Sequence, residues 1–322
     1  MPELPEVETV RRGLAELLPG RVVKKATVFD SPKSFPNAPA DVEQFLYGAC
    51  VTAVRRRAKV LMIDLDSRYS LVVHLKMTGQ LVFRSCHSAM YRRKKSGRAC
   101  HRDPDCFPMI LEGDKVSNFA GGHPNDSLVG ELPDRSTRVQ IDFADGSQLF
   151  FNDQRKFGWM KLLPTAEVQN LPFMQKVGPE PLDSATRAED FIARIRRRQN
   201  SMIKPAFLDQ SVIAGVGNIY ADEALWAARI HPQTRVRNVT DEQLNTLFIE
   251  LRKILQLSID QGGSTDRNYV DAQGQKGNYL AFANVFRREG QACRRHPDQD
   301  IIKLKVAGRG THICPACQLE IK

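Results

Sequence analysis

The sequence lacks any apolar run long enough to cross a membrane, and it has few cysteines for its length. No stretch approaches 18 uninterrupted apolar residues, and no charged-then-apolar leader opens the chain. The seven cysteines among 322 residues are too few and too unevenly spaced for a disulfide scaffold. These shortages exclude membrane-spanning and disulfide-stapled secreted proteins. We therefore expect a cytosolic protein with no membrane partner.

Acidic residues are also in deficit, and no internal repeat is present. Asp and Glu number 37 against 47 Lys and Arg, which gives a net charge of +10 and favours a polyanionic partner such as nucleic acid. A hydrophobic content of 42% is enough for globular cores and excludes wholesale disorder. The length is too great for one small core and predicts several domains.

Patterning divides the chain into three parts. Helical spacing of apolar residues covers 6–18, and β-like runs then predict an antiparallel sandwich up to about residue 163. These runs cover residues 22–29, 60–65, 71–75, 139–143 and 149–152. A linker at 178–181 precedes a helical part, in which a capping box at 240–243 starts an apolar stripe ending at 262–263. Hairpin-like structure returns near residue 285. The predicted domains are 1–175, 176–284 and 285–322.

The segment 85–119 interrupts the sandwich pattern. It has little periodicity, and residues 84–104 hold seven Lys or Arg against one Asp. We interpret it as a basic insertion, and a mobile loop is the favoured reading. An added contact to the backbone of a nucleic-acid partner is the second reading. A metal site at Cys86, His87, Cys100, His101 and Cys106 is the third, although the spacings match no simple zinc knuckle.

The first residues of the chain predict a chemical function as well as the start of a helix. Removal of Met1, which the small neighbour Pro2 favours, would leave a secondary amine beside the carboxylates of Glu3 and Glu6. An α-amine with a pKa of about 7.8 is roughly a tenth neutral at pH 7, whereas a lysine is almost wholly protonated. Its attack on a sugar or carbonyl carbon gives an iminium ion, and the carboxylates would carry the protons. Alternatively, Pro2 and Pro5 only start a helix.

A metal site is predicted near the other end. Cys293 and His296 are followed by Cys314 and Cys317, and each pair is separated by two residues. Such paired spacing is typical of one tetrahedral structural zinc ion closed by a hairpin. His312 is an alternative fourth ligand without that spacing. Arg309 lies at the tip of the predicted hairpin, where it would reach a phosphate or remain a solvated turn residue.

A glycine-rich turn at 215–217 comes before a new helix starting near Asn218. Free backbone N–H groups at a helix N-terminus bind phosphate, and Lys204, placed near the end of the preceding helix, would add charge. The alternatives are a tight helix–helix turn and a solvated lysine.

Three motifs occur in order: PELPEVETVR at 2–11, GVGNIYA at 215–221 and GRGTHICPAC at 308–317. Together they resemble the formamidopyrimidine-DNA glycosylases, bacterial base-excision enzymes that remove 8-oxoguanine and ring-opened purines. The resemblance covers nearly the whole chain except the insertion. It implies an α+β multidomain fold with an N-terminal β-sandwich and helix, a helix–two-turn–helix domain and a C-terminal β-hairpin zinc finger.

The resemblance also implies a bifunctional glycosylase and lyase. Its partner is double-stranded DNA with oxidised purines or abasic sites, and it acts as a monomer in the bacterial cytosol. The Pro2 amine attacks the sugar, Glu3 is acid and base, and Glu6 orients the site. The iminium intermediate is resolved by β- and δ-elimination without a redox cofactor, and one structural zinc ion is expected.

DNA contacts are implied position by position. Lys59 corresponds to the family lysine at the active-site phosphate, and its alternative is a charge at a strand edge. Lys204, Asn218 and Arg309 correspond to backbone-phosphate contacts, which position DNA without reading its sequence, and Lys59 and Arg309 are grouped with the catalytic residues. Met77, Arg155 and Phe157 correspond to the side chains that fill the gap left by an extruded base. The alternative for Met77 and Phe157 is ordinary core packing.

The chain departs from the family pattern at two places besides the insertion. His296 stands where the family usually has a second cysteine, and the loop 263–279 over the flipped base matches loosely. The rival readings are the endonuclease VIII branch, which prefers oxidised pyrimidines, and a non-catalytic zinc protein that binds damaged DNA. The N-terminal motif and the gap-filling set argue against both.

Overall fold

The computed structural model describes residues 2–29, 31–85, 119–122, 130–264 and 278–320. The chain forms two compact units: Pro2 with the described part of Glu6–Leu171, and Glu3–Pro5 with Pro172–Ser264 and 278–320. Residues 86–118 of the predicted insertion, with their cysteines and histidines, lie outside the described residues, as do residues 265–277 of the predicted loop over the flipped base.

Two antiparallel sheets form the first unit. The α-helices and strands up to residue 164 are α1 (Leu4–Leu17), β1 (Val23–Val28), α2 (Pro39–Phe45), β2 (Val51–Arg57), β3 (Val60–Leu65), β4 (Tyr69–His74), β5 (Gly79–Arg84), β6 (Phe119–Gly122), β7 (Thr137–Phe143), β8 (Gln148–Asp153) and β9 (Trp159–Pro164). One sheet has the strand order β1-β7-β8-β5-β6 and the other has the order β2-β3-β4-β9.

One hydrophobic core joins the two sheets. Alternate strand residues enter it, such as Leu81 and Phe83 of β5, because successive side chains of a strand point to opposite faces. Helix α1 adds Val7, Val10 and Leu14, which lie three or four residues apart and so share one helix face. Each such side chain stabilises the fold by roughly 1.5–3 kcal/mol when fully buried. The first unit is therefore a β-sandwich with a helix at its start.

The second unit is mainly helical. Its elements after residue 171 are α3 (Pro172–Lys176), α4 (Ala188–Arg196), α5 (Ile203–Leu208), α6 (Asn218–Ala227), α7 (Asp241–Asp260), α8 (Tyr279–Phe282), β10 (Ile302–Val306) and β11 (Arg309–Ile313). Helix α7 starts at the predicted capping box. The Thr240 hydroxyl accepts from the Gln243 N–H at 3.2 Å, and the Gln243 amide oxygen accepts from the Thr240 N–H at 2.9 Å.

Strands β10 and β11 form the predicted C-terminal hairpin. Val306 pairs with Arg309, and the two residues between them, Ala307 and Gly308, have φ values of 46° and 80°. Two consecutive left-handed residues are typical of the type I′ turn that closes tight hairpins. This turn places the exposed Arg309 at the hairpin tip, as the sequence predicted.

The predicted fold class is confirmed: a β-sandwich with an N-terminal helix, a helical part, and a terminal hairpin flanked by Cys293 on one side and by Cys314 and Cys317 on the other. Element ends differ by one or two residues, which is usual because hydrogen bonding rather than hydrophobicity sets them. One placement was wrong, since Lys204 lies in the first turn of α5 and not near its end. The domain boundaries at 175 and 284 stay a prediction. Among the described residues, no helix has the length and apolar character needed to span a bilayer.

Candidate active site and metal centre

The carboxylate of Glu3 lies at the N-terminus of helix α6. Its Oε1 accepts a hydrogen bond from the Ile219 N–H at 3.0 Å, and the side chain is only 4% exposed. A β-carbon built on Gly217 would lie 2.2 Å from Glu3 Cδ, so only glycine leaves room for the carboxylate there. The partial positive charge of a helix N-terminus favours an anion at this place. Pro2, the residue before Glu3, is buried.

The predicted phosphate site at the glycine-rich turn stays a prediction. One N–H of the first turn of α6, that of Ile219, is bonded within the protein by Glu3 Oε1. Gly215 serves the same arrangement, because its carbonyl accepts from the Leu4 N–H at 3.0 Å and its φ of 80° suits glycine. The turn holds the start of the chain and presents Asn218, whose side-chain Nδ2 donates to the Gly310 carbonyl at 3.0 Å.

The ammonium group of Lys204 is buried. Its Nζ lies 2.6 Å from Asp222 Oδ1, 2.7 Å from Thr311 Oγ1 and 3.2 Å from the Gly310 carbonyl oxygen. Burial lowers the pKa of Lys204, and the neighbouring Asp222 carboxylate partly opposes that shift. The structure thus brings together Lys204, Asn218 and the strand that begins at Arg309, in one hydrogen-bonded cluster.

In the first unit, Lys59 lies beside a histidine that the sequence did not single out. Lys59 is 8% exposed at the turn between β2 and β3, and Val60, the next residue, pairs with His74. Burial, with the positive charges of Lys76 and Lys59, lowers the pKa of His74 to about 3. His74 Nδ1 accepts from the Lys76 N–H at 3.0 Å, so the neutral ring carries its proton on Nε2.

Glu6 is half-buried in α1. Its neighbour Glu8 is bonded by Arg56 at 3.0 Å and by Arg11 at 2.8 Å. Although burial raises the pKa of Glu8, the bonds and charges of the two arginines prevail and the net shift is downward. This ion cluster fixes α1 to strand β2.

Met77, Arg155 and Phe157 form one exposed group. Met77 is 41% and Phe157 55% exposed, which excludes the core-packing alternative for both. Arg155 Nη1 lies 3.1 Å from the Met77 sulfur, and the guanidinium carbon lies 5.0 Å from the centre of the Phe157 ring. A guanidinium flanked by two apolar side chains on a surface is suited to insertion between bases.

Asp153 holds this group in place, and no pattern in the sequence distinguishes it from other aspartates. The side chain is fully buried, and its Oδ1 accepts from the Thr78 hydroxyl and from the Arg155 N–H at 3.2 Å. Its Oδ2 accepts from the Gly158 N–H at 2.6 Å. One carboxylate therefore fixes both ends of the turn that displays Arg155 and Phe157.

The four predicted metal ligands come together. The ligand atoms of Cys293, His296, Cys314 and Cys317 all lie within 4.8 Å of one another. Cys293 and Cys317 sulfurs are 3.7 Å apart, which is about the edge of a tetrahedron with Zn–S bonds of about 2.3 Å. His312 is not a fourth ligand, because its Nδ1 faces Asp222 Oδ2 at 3.2 Å. The donor set fits one structural zinc ion.

Helix α6 anchors the metal-binding segment at two points. The Arg295 guanidinium stacks 3.8 Å from the centre of the Trp226 ring and donates to the Trp226 carbonyl at 2.9 Å. Glu223 is fully buried, and its Oε1 accepts from the N–H groups of Val285 and Phe286, each at 2.8 Å. Burial raises the pKa of Glu223, although these bonds oppose the shift.

Comparison with known proteins agrees with this arrangement. Residues 1–160 match the formamidopyrimidine-DNA glycosylase N-terminal domain, and residues 177–269 match the H2TH domain of the same family. A formamidopyrimidine-DNA glycosylase of Pelotomaculum thermopropionicum is 37% identical over 319 residues, and one of Pediococcus pentosaceus is 38% identical over 319 residues; each alignment covers 99% of both chains.

Solved structures give the same result. The Lactococcus lactis Fpg in complex with an abasic site containing DNA is similar with a TM-score of 0.78 and 29% identity. A MutM protein in complex with carbocyclic 8-oxo-G containing DNA has a TM-score of 0.78 at 28% identity. Each alignment covers 99% of this chain and 100% of the other. The chain belongs to the formamidopyrimidine-DNA glycosylase family.

Proposed function

We propose that this chain is a bifunctional DNA glycosylase and abasic-site lyase that excises oxidised purines, 8-oxoguanine and formamidopyrimidines, in base excision repair. The observation that carries the proposal is the Glu3 carboxylate, held over Gly217 by the Ile219 N–H at 3.0 Å. A buried, oriented carboxylate is suited to proton transfer at a sugar when the proline before it becomes the amino terminus on removal of Met1.

The reaction uses an amine nucleophile and needs removal of Met1. The lone pair of the Pro2 nitrogen bonds to the sugar C1′ while the bond to the damaged base breaks. The base leaves with the electron pair of the broken glycosidic bond and takes up a proton. The Pro2 nitrogen then loses its own proton, and its lone pair expels the ring oxygen O4′, which Glu3 protonates, so that an iminium ion forms between the nitrogen and C1′. Loss of a C2′ proton then expels the 3′ phosphate, and a second elimination expels the 5′ phosphate. The iminium is the electron sink, so no redox cofactor takes part.

The other residues bind and distort the DNA. Lys59 contacts the active-site phosphate, Asn218 and Arg309 contact backbone phosphates, and Glu6 orients the site. Met77, Arg155 and Phe157 occupy the space left by the extruded base, which offsets part of the lost stacking. Their exposure supports this role, since side chains that only packed the core would be buried.

One zinc ion held by Cys293, His296, Cys314 and Cys317 would link the two ends of the terminal hairpin segment and takes no part in the chemistry. The partner is double-stranded DNA that contains oxidised purines or abasic sites. We propose that the protein acts as a monomer, and the cytosolic location predicted from the sequence stays a prediction.

Trapping the covalent intermediate tests the function. The purified protein is incubated with a duplex carrying 8-oxoguanine opposite cytosine, and borohydride is added to reduce the iminium. We expect a covalent protein–DNA adduct with the wild type, none with Pro2→Gly, and a much reduced amount with Glu3→Gln. Intact mass measurement of the same sample checks that Met1 has been removed.

Two outcomes would contradict the proposal. Tight binding without adduct or strand cutting would favour a non-catalytic protein that binds damaged DNA. An adduct formed only with oxidised pyrimidines would place the chain in the endonuclease VIII branch.

A further inference from the structure

The Lys204 ammonium has three N–H donors, and the structure provides three acceptors for them. They are Asp222 Oδ1 at 2.6 Å, Thr311 Oγ1 at 2.7 Å and the Gly310 carbonyl at 3.2 Å. The Lys204 side chain is 1% exposed and that of Asp222 is 0% exposed. In this arrangement no donor of Lys204 is left for a phosphate, although the sequence predicted a direct phosphate contact.

The bonds of Lys204 lead instead to Arg309. Thr311 Oγ1 accepts from Lys204 and donates its own proton to the Arg309 carbonyl oxygen at 3.1 Å. The Gly310 carbonyl accepts from Lys204 and also from Asn218 Nδ2 at 3.0 Å. The three residues that form the start of β11 are therefore tied through Lys204 to helices α5 and α6.

Asp222 is the centre of this network. While Oδ1 binds Lys204, Oδ2 accepts the backbone N–H of His312 at 2.9 Å. We propose that Asp222 is a positioning residue for DNA binding. Through Lys204 and Thr311 it fixes the hairpin tip, so that Arg309 and Asn218 contact the DNA backbone together. This inference rests on the proposed function of Arg309 as a phosphate contact.

Asp222→Asn distinguishes positioning from simple electrostatics, because the two predict opposite changes in DNA affinity. Removing a negative charge from a DNA-binding unit tightens binding if charge alone matters. Positioning predicts weaker binding, because the amide that replaces one carboxylate oxygen would present N–H groups either to Lys204 or to the His312 N–H. We expect about a tenfold loss in affinity, the size of about one charge-assisted hydrogen bond.

The probe is a duplex with a tetrahydrofuran abasic analogue, and binding is measured by fluorescence anisotropy between about 50 and 200 mM salt. Glu289→Gln is the matched control, since it removes a carboxylate that is 57% exposed in the same unit, and we expect unchanged or slightly tighter binding. Zinc content and thermal unfolding, measured on every variant, show whether the hairpin remains folded.

Thr311→Val keeps the inference testable if Asp222→Asn does not fold. Valine has nearly the same shape, changes no charge and removes only the hydroxyl between Lys204 and Arg309. We expect weaker binding with Thr311→Val and near-normal binding with Thr311→Ser, which keeps the hydroxyl. A purely structural role for Thr311 would not give rescue by the smaller serine.

Combination with Arg309→Ala separates the inference from the proposed function. If Arg309 contacts a phosphate, Arg309→Ala lowers the salt slope, which is the steepness of log binding constant against log salt concentration, by about one. Asp222→Asn should then add little in that background, because the residue that Asp222 positions is gone. Additive effects, or tighter binding by Asp222→Asn alone, would overturn the positioning role while leaving the Arg309 contact intact. An unchanged salt slope in Arg309→Ala would exclude the phosphate contact of Arg309. The positioning role of Asp222 would then be excluded too, because it depends on that contact.

Discussion

The carboxyl carbon of Glu3 lies so close to Gly217 that a methyl group on Gly217 would be 2.2 Å from it. Gly217 itself has φ −132° and ψ −163°, a conformation that alanine adopts without strain. The glycine is therefore needed for the space it leaves and not for its backbone freedom. The contact links the glycine-rich turn of one motif to the acidic residue of another motif at the start of the chain.

This contact predicts that Gly217→Ala abolishes catalysis without unfolding the protein. The flexible Glu3 side chain can move away at little cost, so we expect a change in unfolding free energy of less than about 1 kcal/mol. The displaced carboxylate should lower single-turnover excision of 8-oxoguanine by about 100-fold or more, the usual contribution of a general acid or base. Rapid-quench kinetics and thermal unfolding check the two parts.

Gly290→Ala is the control for Gly217→Ala. Within the described part of the chain, no atom lies within 4 Å of a β-carbon at Gly290, although its φ of 73° makes alanine strained. This variant should lose about 1 kcal/mol of stability and retain its excision rate. Equal excision rates in Gly217→Ala and the wild type would show that Glu3 does not act where the structure places it.

The exposed Phe157 predicts an effect on activity that is separate from stability. Because the ring is 55% exposed, Phe157→Ala should change the unfolding free energy by less than about 0.5 kcal/mol. It should lower excision of 8-oxoguanine by about tenfold or more, since unstacking a base costs a few kcal/mol that the inserted ring helps to offset. Single-turnover excision and thermal denaturation are the measurements.

A matched control for Phe157→Ala lies in the preceding strand. Phe151 is fully buried in the sandwich core, and Phe151→Ala should destabilise the first unit by about 3–5 kcal/mol. If Phe157→Ala destabilised the protein as Phe151→Ala does, the ring would be a packing residue and not a wedge.

Sequence reasoning succeeded where a local pattern determines the structure. The capping box at Thr240, the hairpin around Arg309 and the spacing of Cys293 and His296 all depend on residues within a few positions of each other, and all were found. Asp153 and Asp222 were missed because their roles depend on partners elsewhere in the fold. Nothing near Asp222 in the sequence indicates that it meets Lys204, 18 positions earlier, and His312, 90 positions later.

The partners of Lys204 show the same limit. From the sequence, Lys204 was interpreted as a phosphate contact or as a solvated side chain, and only the fold reveals that its ammonium group is buried and lies 2.6 Å from Asp222 Oδ1. The contact between Glu3 and the Ile219 N–H could not be predicted from the sequence either. A glycine-rich turn before a helix gives no sign that a side chain of the same protein lies at the helix N-terminus.

The Cys3His ligand set predicts zinc binding that depends on His296. Removing one of four ligands should weaken binding strongly, and folding of the hairpin should weaken with it because metal affinity and folding are coupled. We expect His296→Ala to be purified with little zinc, and His296→Cys to retain it with four thiolate ligands. Cobalt substitution distinguishes the sites, since thiolate-to-cobalt absorption should be stronger in His296→Cys than in the wild type. Equal zinc content and cobalt spectra in wild type and His296→Ala would exclude His296 as a ligand.

Acid should destabilise the first unit through His74. Folding lowers the pKa of His74 from 6.5 to about 3, so below pH 6.5 the unfolded chain binds a proton that the folded chain does not. The stability gained from the neutral ring is fully present above pH 6.5 and is lost as the pH falls towards 3; at pH 5 the loss is up to about 2 kcal/mol.

His74→Asn keeps an acceptor for the Lys76 N–H but does not titrate, so its unfolding free energy should fall less between pH 7 and pH 5 than that of the wild type. Urea denaturation of both proteins at the two pH values measures the difference. Parallel losses in the two proteins, or a His74 ring resonance that titrates near pH 6.5, would show that the ring is not held neutral.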